Sequence, residues 1–353
     1  MTDHPPDKRN LSRAQRMILG GVVLYCGILA GIAVALSRTR SVDDDPITIV
    51  IITPTPPPVV SASANEETDL ISVGNGPAAL AYDDLHRQLW IACFGDDSVQ
   101  AIDPKTRDAI GRPVPVGDGP ADLAIDTKRA RLWVANFNDN SVQAINLGDG
   151  SLAVAETDVG GTPADLEFDG ARVWVANFDD DTVQAFDSET GVSHPPIRVG
   201  DGPWALAFDG NLLWVANILD DTVLAIDPVE GRVVGEPVRV GDRPTALVFD
   251  PSRSRVWALN FGDYTVQAID PVARVADQPI AVGKEPYALA FDGRRVWVAN
   301  RWDKTIQAIN PASGKALAPI PVHDSPWALE FDGSHLWIGL ADGNTVQAVD
   351  VRE

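Results

Sequence analysis

Residues 199–239 read VGDGPWALAFDGNLLWVANILDDTVLAIDPVEGRVVGEPVR, and variants of this text fill most of the chain. Seven copies recur at intervals of 40–43 residues, beginning at Val73, Val116, Val159, Val199, Val240, Val282 and Val322. A period near 40 that is built from short apolar runs and turn residues indicates a repeat architecture. The copies therefore predict one domain over residues 69–353, preceded by a segment of another kind.

Each copy reads as four short strands separated by turn residues. In the 199–239 copy the predicted strands are Trp204–Asp209, Leu212–Asn217, Thr222–Asp227 and about Pro237–Val240. Gly, Asp and Pro between them are turn formers. The second and third strands are apolar on both faces, so both faces of each sheet must be buried. Radial stacking of four-stranded sheets achieves this, which predicts an all-β, seven-bladed β-propeller of antiparallel blades.

Two further features support a closed ring. One tryptophan per copy lies in the second strand and is predicted to be core; these are Trp90, Trp133, Trp174, Trp214, Trp257, Trp297 and Trp337. The last copy ends after its third strand, whereas residues 69–73 match the fourth-strand text that precedes each later Val-Gly. We therefore expect the final blade to combine both ends of the domain, because this removes an open sheet edge.

The repeat text VGxxPxALAFDG…WVANxxDxTVQAID resembles the YVTN-type β-propeller repeat of bacterial and archaeal surface and exported proteins, over residues 70–353. The resemblance implies seven blades, an extracytoplasmic setting and no particular chemistry. The chain is also distantly similar to virginiamycin B lyase-like propellers, which use His and Glu with a divalent metal on one face. That set is not evident, since His323 is the only loop histidine on the corresponding face and no Glu/His pair accompanies it.

The N-terminal segment contains a long apolar run. Met17 to Leu36 is free of charged residues, and as a helix it would span a bilayer core of about 30 Å. Basic residues upstream favour a cytoplasmic N-terminus, with the propeller outside the cell membrane. The predicted organisation is a cytoplasmic tail at 1–16, a single-pass transmembrane signal anchor at 17–37, a Pro-rich linker at 38–68 and the propeller at 69–353. A cleaved signal peptide is the alternative, because Ala33-Val34-Ala35 resembles a signal-peptidase site.

Charge and cysteine content limit the partners. The net charge is −22, but residues 1–40 carry +4 and the remainder −26. Such an acidic domain repels phosphates, which excludes nucleic acid as an expected partner. The expected partners are the membrane, through the N-terminal helix, and a glycan, a peptide or an envelope protein. Cys26 and Cys93 are the only cysteines, so no disulfide framework is possible within the domain.

The candidate binding residues are those that differ between copies on one face, because the repeated residues already serve the fold. After the loop proline, three copies have a large aromatic residue and four have a small one: Ala78, Ala121, Ala164, Trp204, Thr245, Tyr287 and Trp327. The sixth copy adds Arg301 and Trp302 in the loop between its second and third strands. Aromatic side chains beside an arginine suit stacking on a sugar ring or anchoring a peptide. Alternatively, they plug the channel or pack on each other.

Carboxylates form a second candidate group on the innermost strands. Where most copies have Ala, the second and third have Asp122 and Asp165, and Glu167 and Glu330 lie two positions further in their copies. Period-two spacing places Asp165 and Glu167 on one face near the channel axis. Because an unpaired buried carboxylate is costly, these groups are expected to face channel water or a cation. The four residues are therefore metal candidates for Ca²⁺ or a similar ion, and no other cofactor is expected.

These observations favour a membrane-anchored extracytoplasmic propeller that binds a ligand or protein through the channel mouth. The expected contact residues are Trp204, Tyr287, Arg301, Trp302 and Trp327, with Asp122 and Asp165 across the channel. Motifs such as G-x-S-x-G and H-E-x-x-H are absent from the sequence, so an enzyme is not expected. The main alternative is a metal-dependent lyase or hydrolase that uses the channel carboxylates. A structural envelope protein without a small ligand is the third hypothesis.

Overall fold

A computed structural model describes residues 70–351, which form thirty β-strands and no α-helix. The strands build seven separate antiparallel sheets. The first strand of each sheet contacts the first strand of the next, and the seventh contacts the first, so the sheets close into a ring. This confirms the predicted seven-bladed β-propeller. The predicted tail 1–16, apolar segment 17–37 and linker 38–68 lie outside the described residues, and within 70–351 we find no helix that could span a bilayer.

The chain enters the ring through a short strand and then forms the blades in sequence. The entering strand is β1 (Leu70–Ser72). Blade 1 consists of β2 (Pro77–Asp83), β3 (Gln88–Cys93), β4 (Ser98–Ile102) and β5 (Ala109–Pro115), with a 3₁₀ turn at Phe94–Asp96. Blade 2 consists of β6 (Pro120–Asp126), β7 (Arg131–Asn136), β8 (Ser141–Asn146) and β9 (Leu152–Asp158). Blade 3 consists of β10 (Pro163–Phe168), β11 (Arg172–Asn177), β12 (Thr182–Asp187) and β13 (Ile197–Arg198).

The remaining blades follow the same order. Blade 4 consists of β14 (Pro203–Phe208), β15 (Leu213–Asn217), β16 (Thr222–Asp227) and β17 (Arg232–Arg239). Blade 5 consists of β18 (Pro244–Asp250), β19 (Arg255–Asn260), β20 (Thr265–Asp270), β21 (Val275–Ala276) and β22 (Ile280–Ala281). Blade 6 consists of β23 (Pro286–Phe291), β24 (Val296–Asn300), β25 (Thr305–Asn310), β26 (Lys315–Ala316) and β27 (Ile320–Pro321). Blade 7 consists of β28 (Pro326–Phe331), β29 (His335–Leu340), β30 (Thr345–Asp350) and the entering strand β1.

Blade 7 confirms the predicted closure of the ring. Strand β1 pairs antiparallel with β30, with Leu70 opposite Gln347 and Ser72 opposite Thr345. The backbone N–H of Val73 also donates to the carbonyl of Asn344 at 3.0 Å. The first strand of the domain therefore completes the last sheet and covers the edge of β30.

The outermost strands differ most from the sequence-based expectation. Strand β17 starts at Arg232, five residues before the predicted start at Pro237, and contains a bulge at Gly235 with φ +70°. In blades 5 and 6 this strand is split into two pairs of residues, before and after a proline at positions 279 and 319. Proline alone does not explain the split, because β5 and β17 contain Pro113 and Pro237 at the equivalent position and remain continuous.

The core lies between blades, as the pattern of apolar strands predicts. All seven second-strand tryptophans are at most 3% exposed. Trp133 of blade 2 packs against Leu166, Val173 and Val175 of blade 3, and Trp337 of blade 7 packs against blade 1. Each blade thus buries its aromatic residue against the next blade, which holds the ring together.

The turn between the first and second strands has two forms. In blades 3, 4, 6 and 7 an aspartate five residues before the tryptophan accepts its indole Nε1–H at 2.7–2.8 Å, as Asp169 does from Trp174. In blades 1, 2 and 5 the interval is seven residues, and the indole N–H has no acceptor among residues 70–351. There the aspartate pairs instead with the residue three positions later, which is His86, Arg129 or Arg253.

Candidate functional site

A β-bulge at the start of every innermost strand positions the variable residues. After the strand's first proline, one residue is skipped in the pairing with the second strand. The skipped residues are the seven variable ones: Ala78, Ala121, Ala164, Trp204, Thr245, Tyr287 and Trp327. A bulge residue lies outside the ladder and its side chain is turned away from the regular pleat. This explains why the position accepts either alanine or tryptophan without disturbing the sheet.

Three predicted contact residues meet at the boundary of blades 6 and 7. The rings of Tyr287 and Trp327 are 4.9 Å apart between centroids and inclined by 57°. The guanidinium Cζ of Arg301 lies 4.3 Å from the centroid of the Trp327 ring. Its Nη1 is 4.0 Å from the Glu285 carboxylate, a long ion pair within blade 6. Trp302 follows in the same loop and is 64% exposed. We call Tyr287, Arg301, Trp302 and Trp327 the mouth cluster.

Trp204 does not join the mouth cluster. Its ring packs edge-on against Phe178 of blade 3, with centroids 5.4 Å apart. Blade 4 is separated from blade 6 by blade 5, whose bulge residue is Thr245. The predicted five-residue surface therefore divides into a single aromatic pair at blades 3 and 4 and a stacked cluster at blades 6 and 7.

Two lysines of blade 6 belong to this region and were not singled out from the sequence. Lys284 occupies the loop position that is Asp118, Asp201 or Asp242 in other blades. Lys304 lies in the left-handed region with φ 51° and forms an ion pair of 2.6 Å with Asp324. The loops of blade 6 thus carry lysine at two positions that are mostly Asp or Asn in the other blades. The departure of both positions from the repeat was the signal available in the sequence.

The position of Lys304 has a defined structural role in other blades. There an Asp or Asn side chain accepts a hydrogen bond from the loop N–H of the next blade, at 2.7–3.0 Å. The acceptors are Asp97, Asn140, Asp181, Asp221 and Asn344. Tyr264 in blade 5 and Lys304 in blade 6 are the two exceptions in the described ring, at φ 56° and 51°. Within residues 70–351, the inter-blade link is therefore absent at both boundaries of blade 6, with blade 5 and with blade 7.

The channel carboxylates connect neighbouring innermost strands. Asp122 of blade 2 accepts the backbone N–H of Leu166 of blade 3 at 2.7 Å. Asp165 of blade 3 likewise accepts the N–H of Leu206 of blade 4 at 2.6 Å. Glu330 of blade 7 accepts the N–H of Tyr82 of blade 1 at 3.1 Å. Glu167 accepts the N–H of Phe208 in the same manner. Each carboxyl group therefore satisfies a donor on the adjacent blade.

These carboxyl groups hold their protons more tightly than free ones. Burial raises the pKa of Glu167 and of Glu330 to about 8. The side chains of Asp122 and Asp165 hydrogen-bond to each other, and desolvation raises both pKa values, more for Asp165 because of the neighbouring Asp122 charge. All four side chains are half-buried. At neutral pH the two glutamates are therefore largely uncharged.

The predicted metal candidates do not assemble into a metal centre in the described ring. Among residues 70–351 we find no group of three or more His, Cys, Asp or Glu side chains placed to hold one ion. The histidines are dispersed: His86 pairs with Asp83 at 2.6 Å, and His323 is exposed in a loop. Cys93 is fully buried, and burial raises the pKa of its thiol to about 11, so it is not a reactive thiolate at neutral pH.

Comparison with known proteins gives structural relatives. No protein-family model matches the chain, and no curated protein sequence matches it. Hydrazine synthase from Kuenenia stuttgartiensis superimposes with a TM-score of 0.70 and 17% identity, over 83% of this chain and 99% of that one. Virginiamycin B lyase from Staphylococcus aureus superimposes with a TM-score of 0.68 and 14% identity, over 80% of this chain and 98% of the lyase. A catalytically inactive form of that lyase with Quinupristin gives 0.69 and 13%, over 80% and 99%. Such identities show the shared seven-bladed fold alone.

Proposed function

We propose that this chain is a ligand-binding β-propeller, anchored in the cell membrane through residues 17–37 and displayed outside the cell, with the mouth cluster as its binding surface. The observation that carries the proposal is the layered contact of Tyr287, Trp327 and Arg301, with 4.9 Å between the rings and 4.3 Å from the guanidinium to the indole. Three large side chains held in this way form a preorganised surface, which lowers the entropic cost of binding.

The chemistry of the mouth cluster indicates the kind of ligand. Trp302 offers an exposed aromatic face on which a sugar ring or an apolar peptide side chain can pack. Arg301 lies over Trp327, and its ion pair with Glu285 is as long as 4.0 Å. Its guanidinium therefore retains N–H donors for an acceptor on the ligand. Lys284 adds a second positive charge nearby in the same loops. We therefore expect a saccharide or peptide that carries an acidic group.

The sequence changes in blade 6 support a binding role. Blade 6 has Lys304 where most other blades have Asp or Asn, although the left-handed backbone conformation at this position favours Asn and Asp. The preceding blade has made a similar change at Tyr264. Unfavourable local conformations persist where the side chain is needed for another purpose. Both occur beside the mouth cluster, which is where a ligand-binding blade would depart from the structural repeat.

A glycan and peptide array probed with the purified full chain tests the proposal. We expect binding to a defined set of acidic ligands, and Trp327→Ala should weaken it by roughly thirty-fold, as for a central aromatic contact worth about 2 kcal/mol. Trp204→Ala is the matched control, because Trp204 occupies the same bulge position in blade 4 and does not join the mouth cluster. Equal affinity of the Trp327→Ala variant and the parent chain would exclude the mouth cluster as the binding surface.

An enzymatic hypothesis concerns the opposite side of the channel. The hydrogen-bonded Asp122 and Asp165 pair could act as acid and base in a lyase or hydrolase. A metal-dependent version requires a cation at these carboxylates or at Glu167 and Glu330. Titration with Ca²⁺ while following the melting temperature addresses that version directly.

A further inference from the structure

The face opposite the mouth cluster contains a pocket between blades 5 and 6. It consists of two adjoining cavities of about 360 and 540 Å³ that share Arg253 and Ala312. The smaller cavity is lined by three arginines, Arg253, Arg294 and Arg295, together with Ser252 and Asn310, and no carboxylate lines it. On a domain with a large negative net charge, such a wall is chemically distinct.

Two arginines of the smaller cavity, Arg253 and Arg294, keep donors for a further partner, whereas Arg295 donates to Asp292 and to the carbonyl of Val351. Arg253 uses its Nη1 for Asp250 at 3.4 Å and Ser252 at 2.9 Å. Arg294 is exposed, and its guanidinium has no hydrogen-bond or ion-pair partner among residues 70–351. Each guanidinium has five N–H donors in a planar arrangement that matches a carboxylate or a phosphate. The wall can therefore accept an anionic group from outside.

The boundary of blades 2 and 3 shows how the same site is filled internally. Arg129 holds the position in blade 2 that Arg253 holds in blade 5, three residues after the turn aspartate. Its Nη2 lies 3.3 Å from the Glu189 carboxylate of blade 3, and its Nη1 donates to Ser188 at 2.7 Å. The Glu189 carboxylate of the neighbouring blade thus forms an ion pair with Arg129.

The residue equivalent to Glu189 in blade 6 is Ala312. The equivalence follows from the turns, because the N–H of Glu189 donates to Asp187 at 3.0 Å and the N–H of Ala312 donates to Asn310 at 2.9 Å, each two residues away. Between blades 1 and 2 the matching pair is His86 and Gly148, and a Cβ on Gly148 would lie 3.9 Å from His86 Nε2. The repeat therefore brings these two positions together at each such boundary. At blades 5 and 6 the arginine is present and the acid is missing.

We propose that the pocket between blades 5 and 6 binds the phosphate or carboxylate group of a small organic ligand, in the place that the Glu189 carboxylate fills between blades 2 and 3. The larger cavity is lined by Trp257 and Ile280 and also by Arg255, Asp277 and Gln278, so it suits a part of the ligand that combines an apolar surface with hydrogen-bonding groups. This site is separate from the mouth cluster and lies on the other face of the ring.

The test measures melting temperature of the full chain in inorganic phosphate and in acetate, against chloride at equal ionic strength. When the concentration of the preferred anion is about ten times its dissociation constant, we expect the melting temperature to rise by about 3 °C. Ala312→Glu installs the missing carboxylate and should abolish the rise. Glu189→Ala opens the corresponding site between blades 2 and 3, where Ala171 replaces Arg294, and should add a second, weaker anion-dependent rise. The comparison of phosphate with acetate identifies the preferred group.

Three outcomes would overturn the proposal. The first is a parent chain that responds to neither anion, and the second is an Ala312→Glu variant that responds like the parent. The third is a Glu189→Ala variant that gains no response. Arg294→Ala provides a variant at an exposed side chain, where folding is not at risk, and should reduce the affinity for the anion at least about threefold. An unchanged affinity of this variant would also contradict the proposal.

Discussion

The two sides of the ring use the same backbone bulge for different surfaces. In blades 2 and 3 the bulge residues are Ala121 and Ala164, and the next residues are the channel carboxyls Asp122 and Asp165. In blades 6 and 7 the bulge residues are Tyr287 and Trp327, and alanines follow them. One side therefore has a polar channel wall and the other a stacked aromatic cluster. Consecutive positions on one innermost strand therefore control the mouth and the channel separately.

Opening the ring should have the largest effect, because both surfaces depend on its closure. Deletion of residues 66–74 removes β1 and leaves β30 without its outer neighbour. We expect a loss of more than about 4 kcal/mol in the free energy of unfolding. Deletion of residues 50–58 in the predicted linker is the control of equal length. Denaturant unfolding of both variants measures the effect, and similar midpoints would contradict the closure of blade 7 by β1.

The carboxylate side should give the protein a characteristic pH dependence. Because folding raises the pKa of Glu167 and Glu330 to about 8, the folded state keeps protons that the unfolded chain releases above about pH 4.5. These two groups therefore favour folding most in acid, and their contribution falls as the pH rises from about 4.5 to 8. The double variant Glu167→Gln/Glu330→Gln should be more stable than the parent by roughly 2–3 kcal/mol at pH 9, a value reduced for screening by channel water.

At pH 4 the double variant and the parent should have the same stability, since the glutamates are protonated in both states. Glutamine retains an oxygen that can accept the N–H of Tyr82, so the link between blades 7 and 1 is kept. Glu236→Gln at an exposed position is the control. Urea unfolding from pH 4 to 9 gives the comparison. A difference between variant and parent that does not change with pH would show that these carboxyls are not protonated on folding.

A substitution on the aromatic side, at Lys304, should have the smallest effect on stability. At the boundary of blades 7 and 1, the side chain of Asn344 accepts the N–H of Gly76 at 2.9 Å. Lys304→Asn places the same residue type at the equivalent position of blade 6, where the equivalent donor is the N–H of Ser325 in blade 7. We expect a gain of about 0.5–1 kcal/mol, because Asn tolerates the left-handed conformation and adds a hydrogen bond. Asn344→Lys, the reverse change, should lose a similar amount. Calorimetry measures the melting temperatures of the two variants and of the parent chain. A Lys304→Asn variant that melts at the same temperature as the parent would show that lysine at position 304 does not destabilise the ring.

The sequence predicted the scaffold well and the site in part. The seven tryptophans and the four-stranded blades could be predicted because each depends on a pattern within one repeat, and the closure by β1 because the incomplete last copy and residues 69–73 together make one repeat. The outer strands could be predicted only in part, because bulges interrupt their pairing with the third strand. For the candidate site, the aromatic and acidic positions were visible as departures from the repeat. Their partners were not: Trp204 pairs with Phe178 of another blade, and Asp122 binds a backbone donor 44 residues away.

By itself, the amino-acid sequence determined a ring of seven sheets, because strands that are apolar on both faces and recur every 40–43 residues can only be buried against copies of themselves. The tertiary structure alone decided which variable residues meet. It placed Arg301 over Trp327, turned the channel carboxylates toward the next blade and left Arg253 opposite Ala312 where Arg129 faces Glu189. The physical reason is that these contacts cross between blades, and their geometry is fixed by how neighbouring sheets pack rather than by any local pattern in the chain.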